Sequence, residues 1–290
     1  MIKPVKRVAA IHDLSGFGRA SLTAIIPILS SMGIQVCPIP TAILSTHTGG
    51  FEEYTFVDLT DSMEDYINHW KKLNLEFDCI YSGFLGSVKQ INIVSDFVDF
   101  FADEHTLTII DPVMGDDGKL YPTMDMDMVE NMRNLIHKAT IITPNFTEAA
   151  YLLGEDPNSV VDENIIKSWM IKLAQMGPKI VIITSVPEIH NDKITNVVAY
   201  NKEDNVFWKV SCKYIPASYP GTGDAFTSVL IGSLLQGDSL PIALDRGVQF
   251  ITACIKASYG FNYPKREGVL LEKVLETLKL PVIVSSYEIL

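Results

Sequence analysis

An acid bounded by glycines stands before an apolar, helix-forming stretch, in the run Pro220-Gly221-Thr222-Gly223-Asp224. The first N–H groups of a helix lack intrahelical acceptors, and glycines let the backbone approach a ligand without Cβ interference. Such a helix start binds anions and stabilises charge developing on a transferring phosphoryl group. Asp224 could then accept the proton of an alcohol nucleophile. The run is a candidate phosphoryl-transfer site, and an ordinary helix N-cap at Asp224 is the alternative.

Two further motifs follow predicted strands. Asp111-Pro112-Val113-Met114-Gly115-Asp116 ends a buried strand, and two carboxylates on such a loop can hold Mg²⁺, usually through water. Thr143-Pro144-Asn145-Phe146-Thr147-Glu148 starts a helix, where Asn145 and Glu148 could face phosphate and metal. The first motif also fits an X-Pro turn with solvated acids. The second also fits helix capping by Asn145 or Thr147, with Glu148 favourable in the first turn.

The loop after the first predicted strand, Asp13-Leu14-Ser15-Gly16-Phe17-Gly18-Arg19-Ala20-Ser21, is similar to a dinucleotide-binding fingerprint but fails the test. Ser21 holds the third glycine position, and no acid follows the second strand to bind a ribose. A loop that shapes a small-molecule pocket is the better interpretation. The chain contains no GxxxxGK[ST] motif, which excludes a P-loop kinase. His47, in a Ser/Thr/Gly loop, is more often structural than catalytic.

Bulk composition excludes several classes of function. The 290 residues are 47% hydrophobic and 20% charged, the balance of a globular protein with a sizeable core. The formal net charge of −12 offers no basic face for nucleic acid or for anionic lipid, so neither is an expected partner. No apolar run is long enough to span a membrane, and the N-terminal apolar stretch is too short for a signal peptide. We therefore expect a cytoplasmic protein.

The elements that must position the motifs alternate between strand and helix. Strands are predicted at residues 7–11, 35–44, 79–82, 106–110, 141–143 and 180–184, with an antiparallel pair at 196–200 and 206–212. Helices are predicted at residues 21–32, 66–73, 88–102, 124–136, 148–153, 165–176, 224–236, 241–258 and 269–278.

This alternation predicts an α/β fold, in which a central, mostly parallel sheet is flanked by helices on both faces. Residues 1–290 are expected to form one domain. Residues 12–19 are predicted to be a loop, and residues 48–61 a small lid. Ligands of such a sheet bind beyond the carboxyl ends of its strands, which is where the motifs fall.

Three blocks, DPVMGD at Asp111–Asp116, TPNFTEA at Thr143–Ala149 and GTGD at Gly221–Asp224, together resemble the pyridoxal kinase branch of the ribokinase-like superfamily. The resemblance extends from residue 11 to about residue 278. It implies the ribokinase-like fold, usually in a homodimer. It also implies ATP-dependent phosphorylation of the 5′-hydroxymethyl group of pyridoxal, pyridoxine or pyridoxamine, with ATP and Mg²⁺ required and a monovalent cation as a further option.

The resemblance assigns roles to individual residues. Asp224 is implied as the catalytic base, and Gly221, Thr222 and Gly223 as the anion hole. The implied ATP-side residues are Asp111, Asn145, Glu148, Thr184 and Ser185, and the implied metal-side residues are Asp116, Thr143 and Glu148. On the acceptor side the implied residues are Asp13, Ser15, Ala42, Leu44, Thr48, Phe84, Tyr121 and Asp224.

The acceptor is where this chain departs from the family pattern. Many pyridoxal kinases carry serine where this chain has Asp13, and the loop Asp13-x-Ser15-Gly16 resembles the hydroxymethylpyrimidine kinases of thiamin synthesis. Those relatives often have cysteine where this chain has Asp224. The STHTGG segment at 45–50 is also more similar to the pyridoxal kinases. A B6 vitamer is thus the expected acceptor. Hydroxymethylpyrimidine is the alternative, and a non-catalytic B6-binding sensor is a weaker one.

Overall fold

A computed structural model describes residues 4–189, 191–280 and 286–290. Its strands are β1 Arg7–Phe17, β2 Gln35–Thr46, β3 Phe56–Asp58, β4 Cys79–Ser82, β5 Leu107–Ile110, β6 Gly115–Asp116, β7 Lys119–Leu120, β8 Ile141–Ile142, β9 Ile180–Pro187, β10 Ile194–Asn201, β11 Val206–Lys213 and β12 Tyr287–Ile289. Its α-helices are α1 Leu22–Ser31, α2 Thr60–Lys72, α3 Val88–Phe101, α4 Met126–Ile136, α5 Phe146–Leu153, α6 Glu163–Gln175, α7 Thr222–Leu235 and α8 Leu240–Tyr259.

The chain divides into two compact units. The first comprises Met1–Ile80 and Ile215–Ser285, and the second comprises Tyr81–Tyr214 and Ser286–Leu290. The predicted α/β class, with a mostly parallel central sheet flanked by helices, is confirmed. The single domain over residues 1–290 stays a prediction. Among the described residues, no helix combines the length and the apolar character needed to cross a membrane.

The first unit is built on the strand order β4-β1-β2-β3, in which β4 contributes only Cys79 and Ile80. β1 and β2 are parallel, and the short strand β3 is antiparallel to β2 at the edge. Helix α1 packs against α7, and α7 packs against α8. The last two helices approach closely because α8 has glycine at position 247, where a Cβ would lie 2.8 Å from the buried Phe226 ring.

The second unit contains the strand order β12-β11-β10-β9-β8-β5. β5, β8 and β9 are parallel, and β9 to β12 are successively antiparallel, as predicted for the pair β10 and β11. β6 and β7 form a separate two-stranded hairpin directly after β5. Helices α5 and α6 pack together, with the Phe146 ring stacked on Trp169 at a centroid distance of 5.2 Å.

The loop prediction for residues 12–19 is wrong for residues 12–17, which belong to β1. β1 continues through Phe17, which pairs in parallel with Thr46 of β2. The polar residues were misleading because their side chains bond to one another within the unit while their backbone stays in the sheet. The pairing register shifts between His12 and Leu14, around Asp13. Such irregularities re-aim a side chain and are frequent beside active sites.

The helix predicted at residues 269–278 is also wrong. The segment forms two short 3₁₀ turns, Leu271–Lys273 and Leu275–Lys279, separated at Val274, whose φ is −126°. Neither turn starts with a side-chain cap, although Leu271 and Leu278 are buried as helical spacing suggested. Within the predicted lid at residues 48–61, β3 pairs with β2 and α2 begins at Thr60, and motion of the lid stays a prediction.

Candidate active site

The glycine-bounded acid lies in the first turn of α7. Gly221 is the N-cap residue, with φ 80°, and the helix begins at Thr222. A Cβ at Gly221 would lie 2.1 Å from the carbonyl oxygen of Arg19, so only glycine fits this turn. Asp224 is therefore the third helical residue. The alternative that Asp224 is an ordinary N-cap is wrong.

The backbone at this helix start is available to an anion. The first intrahelical bond of α7 runs from the Ala225 N–H to the Gly221 carbonyl at 3.0 Å, so the N–H groups of Gly223 and Asp224 precede the helical ladder. The Thr222 hydroxyl donates to the Tyr219 carbonyl at 3.1 Å. A Cβ placed on Gly223 would meet no atom within 4 Å. Open space therefore borders the donors that the phosphoryl-transfer hypothesis uses.

The Asp224 carboxylate is held in a desolvated position. Its Oδ2 accepts the backbone N–H of Ser21 at 2.8 Å. Burial raises the pKa of Asp224 to about 6, the negative charge of Asp13 adds to the rise, and the Ser21 bond opposes it. The Nδ1 atom of His12 lies 3.9 Å from Asp224 Oδ1. Burial lowers the pKa of His12 to about 3, so this imidazole is neutral and leaves Asp224 free to act as a base at neutral pH.

Asp13 is fixed by two serine hydroxyls. Ser21 Oγ donates to Asp13 Oδ1 at 2.5 Å, and Ser15 Oγ donates to Oδ2 at 3.0 Å. Burial raises the pKa of Asp13, whereas these two bonds and the proximity of His47 lower it. Asp13 and Ser15, both predicted on the acceptor side, are thus brought together with Asp224 in the first unit.

His47 has a structural role, as predicted for a histidine in a Ser/Thr/Gly loop. The Gly49 N–H donates to Nδ1 at 3.1 Å, and Nε2 lies 2.6 Å from the Arg266 carbonyl. These contacts assign the proton to Nε2. Burial lowers the pKa of His47, while the bond to Arg266 and the negative charge of Asp13 oppose the shift. The ring ties the end of β2 to the segment around Arg266, and only a glycine at position 18 leaves it room.

The other acceptor-side residues differ in their exposure. In the first unit Ala42 and Leu44 are 1% and 2% exposed, so they offer a ligand little surface, while Thr48 is exposed. In the second unit Phe84 is half-buried and Tyr121 is 38% exposed. Their predicted contacts with an acceptor stay predictions.

In the second unit, the predicted capping role of Asn145 is confirmed. The Asn145 side chain accepts the Glu148 N–H at 2.9 Å, and the Glu148 carboxylate accepts the Asn145 N–H at 2.8 Å. This reciprocal capping box starts α5. The Asn145 amide also donates to the Gly115 carbonyl at 2.8 Å, which joins α5 to the hairpin of β6 and β7. Capping of α5 by Thr147 is wrong, because its hydroxyl accepts the Gly118 N–H.

Glu148 is a buried carboxylate near a second one. The Met114 N–H also donates to Glu148, at 3.0 Å. Burial raises the pKa of Glu148 to about 8 against these bonds, and the negative charge of Asp116 raises it further. Asp116 is exposed at the surface, yet partial desolvation by its surroundings raises its pKa as well. A divalent cation would relieve both effects, so this pair fits the chemistry of a Mg²⁺ site, which needs only one or two carboxylates beside phosphate oxygens.

The structure brings the remaining ATP-side and metal-side residues to strand ends of the second unit. The Asp111 N–H donates to the Ser82 carbonyl at the end of β5, and Thr143 directly follows β8. Thr184 bridges to Asn145, and Ser185 adopts φ 57°. A cavity of about 630 Å³ lies in this unit, and two of the predicted site residues, Asp116 and Ser185, are among those that line it. No group of three or more His, Cys, Asp or Glu in the described parts of the chain is placed to bind a metal.

Sequence reasoning missed Ser21. The sequence singles it out only as a departure from a dinucleotide fingerprint, yet its N–H donates to Asp224 and its hydroxyl donates to Asp13. The signal that could have indicated a role is its position just before a helix. The backbone conformation that turns both groups away from that helix cannot be read from residue types.

Comparison with known families decides the class of this site. Residues 17–269 match the phosphomethylpyrimidine kinase family model. The chain belongs to this family.

Solved structures agree with the assignment. A protein of Bacteroides thetaiotaomicron, provisionally named a phosphomethylpyrimidine kinase, is 54% identical, with a TM-score of 0.97 over 100% of this chain and 99% of its own. A second crystal form of it contains pyridoxal (55% identity, TM-score 0.96, 99% and 100% covered). The pyridoxal kinase of Lactobacillus plantarum is 30% identical, with a TM-score of 0.86 over 95% and 97% of the two chains.

Curated relatives point the same way. The pyridoxal kinase of Arabidopsis thaliana is 27% identical over 252 residues, which are 85% of this chain and 78% of the relative. The predicted resemblance to the pyridoxal kinase branch is thereby confirmed, together with the ribokinase-like fold. The prediction that this chain is a kinase is confirmed as well.

The two glycines of the α7 start should respond differently to a methyl group. Gly221→Ala places Cβ against the Arg19 carbonyl and should lower the free energy of unfolding by about 1–3 kcal/mol. Gly223→Ala meets no protein atom and should leave the melting temperature unchanged or slightly higher. Its methyl group enters the open space, however, so kinase turnover should fall at least about tenfold. Thermal unfolding and turnover of both variants check this, and full activity in Gly223→Ala would contradict it.

Proposed function

We propose that this chain transfers the γ-phosphoryl group of ATP to the 5′-hydroxymethyl group of a B6 vitamer, as in salvage of pyridoxal, pyridoxine or pyridoxamine. The observation that carries the proposal is the placement of Asp224, a desolvated carboxylate in the first turn of a helix whose start leaves N–H donors open. A positioned base beside an anion-binding helix start is what phosphoryl transfer to an alcohol requires. A purely binding protein has no need of that base, which argues against a sensor.

The proposed step has a simple balance. The hydroxymethyl oxygen forms a bond to the γ-phosphorus, and the bond from that phosphorus to the β–γ bridging oxygen breaks, which releases ADP. Asp224 takes the hydroxyl proton, for which its pKa of about 6 is suitable near neutral pH. The N–H groups that begin α7, at Thr222, Gly223 and Asp224, would stabilise charge on the phosphoryl oxygens.

ATP and Mg²⁺ belong to the same proposal. We assign Asp111, Asn145, Glu148, Thr184 and Ser185 to the nucleotide side, and Asp116, Thr143 and Glu148 to the metal side. Support comes from the negative charge of Asp116, which raises the pKa of Glu148 and which a cation would offset. Mg²⁺ would supply neutralisation of phosphate charge. A monovalent cation, a homodimer and a cytoplasmic location stay predictions.

Two observations bear on the choice of acceptor. A 55% identical structure contains pyridoxal, and many relatives are pyridoxal kinases, which supports a B6 vitamer. The matching family model is that of phosphomethylpyrimidine kinase, and the loop that begins at Asp13 resembles the hydroxymethylpyrimidine kinases. Both points keep hydroxymethylpyrimidine as the second candidate acceptor. Asp13 could pair with a protonated ring nitrogen of one acceptor or an amino group of the other.

The acceptor is identified by ADP release with Mg-ATP and, in parallel, pyridoxal, pyridoxine, pyridoxamine and hydroxymethylpyrimidine. We expect the fastest turnover with a B6 vitamer and a loss of roughly 100-fold or more in Asp224→Asn, because the base is removed. Asp125→Asn is the matched control, since Asp125 caps α4 and asparagine caps equally well. Fastest turnover with the pyrimidine would move the chain to the second candidate, and near-full turnover of Asp224→Asn would refute the base.

The metal assignment predicts a specific change in Mg²⁺ dependence. Asp116 is exposed, so Asp116→Asn should fold normally while the Mg²⁺ concentration for half-maximal turnover rises by about tenfold. Asp96→Asn removes the same charge from an exposed position on α3, away from the cavity that Asp116 lines, and should leave that concentration unchanged. Equal effects of the two variants would reduce the role of Asp116 to a general charge effect.

A further inference from the structure

Ser21 has an unfavourable backbone conformation and gives its own helix only its carbonyl, which accepts the N–H groups of Ala24 and Ile25. Its φ and ψ are 50° and −135°, a combination that residues with a side chain rarely adopt. It is the N-cap residue of α1, and serine normally caps through its hydroxyl, but the Ser21 side chain makes no capping bond. Strain of this kind persists where the surroundings enforce it, and it concentrates at functional sites.

The conformation serves the two carboxylates of the first unit instead. The Ser21 N–H donates to Asp224 Oδ2 at 2.8 Å, and the hydroxyl donates to Asp13 Oδ1 at 2.5 Å. Ser21 is 8% exposed, and its hydroxyl bond is buried while its N–H bond is partly buried. One neutral residue thus supplies a donor to each of two neighbouring acids whose charges repel each other.

The remaining polar groups around this pair are accounted for. Ser15 Oγ donates to the second oxygen of Asp13, and His12 Nδ1 lies 3.9 Å from Asp224 Oδ1. The His12 ring lies near Asp224, and the His47 ring lies near Asp13. Burial lowers the pKa of both rings. With a pKa of about 3, the His12 ring supplies no positive charge at neutral pH. The donors that hold the two acids in place include the N–H and hydroxyl of Ser21, the hydroxyl of Ser15 and the backbone N–H of Asp13.

We propose that Ser21 is a positioning residue that sets the Asp224 base and the acceptor-recognising Asp13 in one fixed arrangement. Its N–H occupies Oδ2 of Asp224 and leaves Oδ1 for the acceptor hydroxyl. Its hydroxyl orients Asp13 toward the polar group of the acceptor ring. This inference rests on the proposed function, because both acids are assigned there.

The hydroxyl can be removed while the N–H remains. In Ser21→Ala, Asp13 loses one of its two hydroxyl donors, so the KM for pyridoxal should rise about tenfold while the KM for ATP stays unchanged. The pKa of Asp13 should rise for the same reason, which moves the acid limb of kcat/KM for pyridoxal to higher pH. Calorimetric binding of pyridoxal without nucleotide should weaken by the same factor as the KM.

Ser21→Gly separates positioning from stability. Glycine also lacks the hydroxyl, but it accommodates φ 50°, so the melting temperature should be unchanged or higher while the pyridoxal KM rises as in Ser21→Ala. Ser30→Ala, an exposed serine on the same helix, is the control and should match the wild type in every measurement. A merely structural role would instead change the melting temperature and leave the acid limb in place.

The outcomes distinguish the inference from the function on which it rests. If the wild type phosphorylates a vitamer and both Ser21 variants show wild-type pyridoxal KM and pH profile, the positioning role is overturned alone. If the KM values for pyridoxal and ATP rise together with a falling melting temperature, it is overturned as well. If the wild type phosphorylates none of the acceptors, the proposed function fails and this inference fails with it.

Discussion

The carboxylate of Asp224 is largely removed from water, and a charge in such a position is tolerated only where donors compensate for the lost hydration. The Ser21 N–H supplies one donor at 2.8 Å, and the first turn of α7 contributes its positive end. Both depend on local backbone geometry: φ 80° at Gly221 lets the turn pass close to the Arg19 carbonyl, and φ 50° at Ser21 aims its N–H. The balance leaves the pKa of Asp224 near 6, low enough for ionisation at neutral pH and high enough for a useful base.

Neighbouring carboxylates repel each other in both units, and the repulsion is compensated differently in each. In the first unit, Asp13 and Asp224 are held by neutral donors, and no positive side chain is needed. In the second, Glu148 receives backbone N–H groups from the capping box and from Met114, but burial and Asp116 still raise its pKa to about 8. The uncompensated negative charge of these two carboxylates suits a cation that binds together with a nucleotide. It also explains how a chain of net charge −12 could attract ATP as its Mg²⁺ complex.

Much of this could be predicted from sequence because it depends on residue type at short range. The alternation of strands and helices, the glycine turn before α7 and the cap at Asn145 are all local patterns. What could not be predicted depends on tertiary pairing. β1 extends through Phe17 because β2 lies beside it, residues 269–278 form 3₁₀ turns rather than a helix, and Ser21 bonds to an acid 203 positions away. No property of these residues alone indicates those outcomes.

The most direct test of this account is the pH dependence of kcat for the wild type at saturating Mg-ATP and vitamer, from about pH 5 to about pH 9. Asp224 must be ionised to act as the base, and its pKa is raised, so kcat should be constant at high pH and fall as the pH drops through about 6. The midpoint should be the same for pyridoxal and pyridoxine, which excludes titration of the acceptor. A profile that stays flat to pH 5, or an identical acid limb in Asp224→Asn, would contradict the assignment of Asp224 as the base.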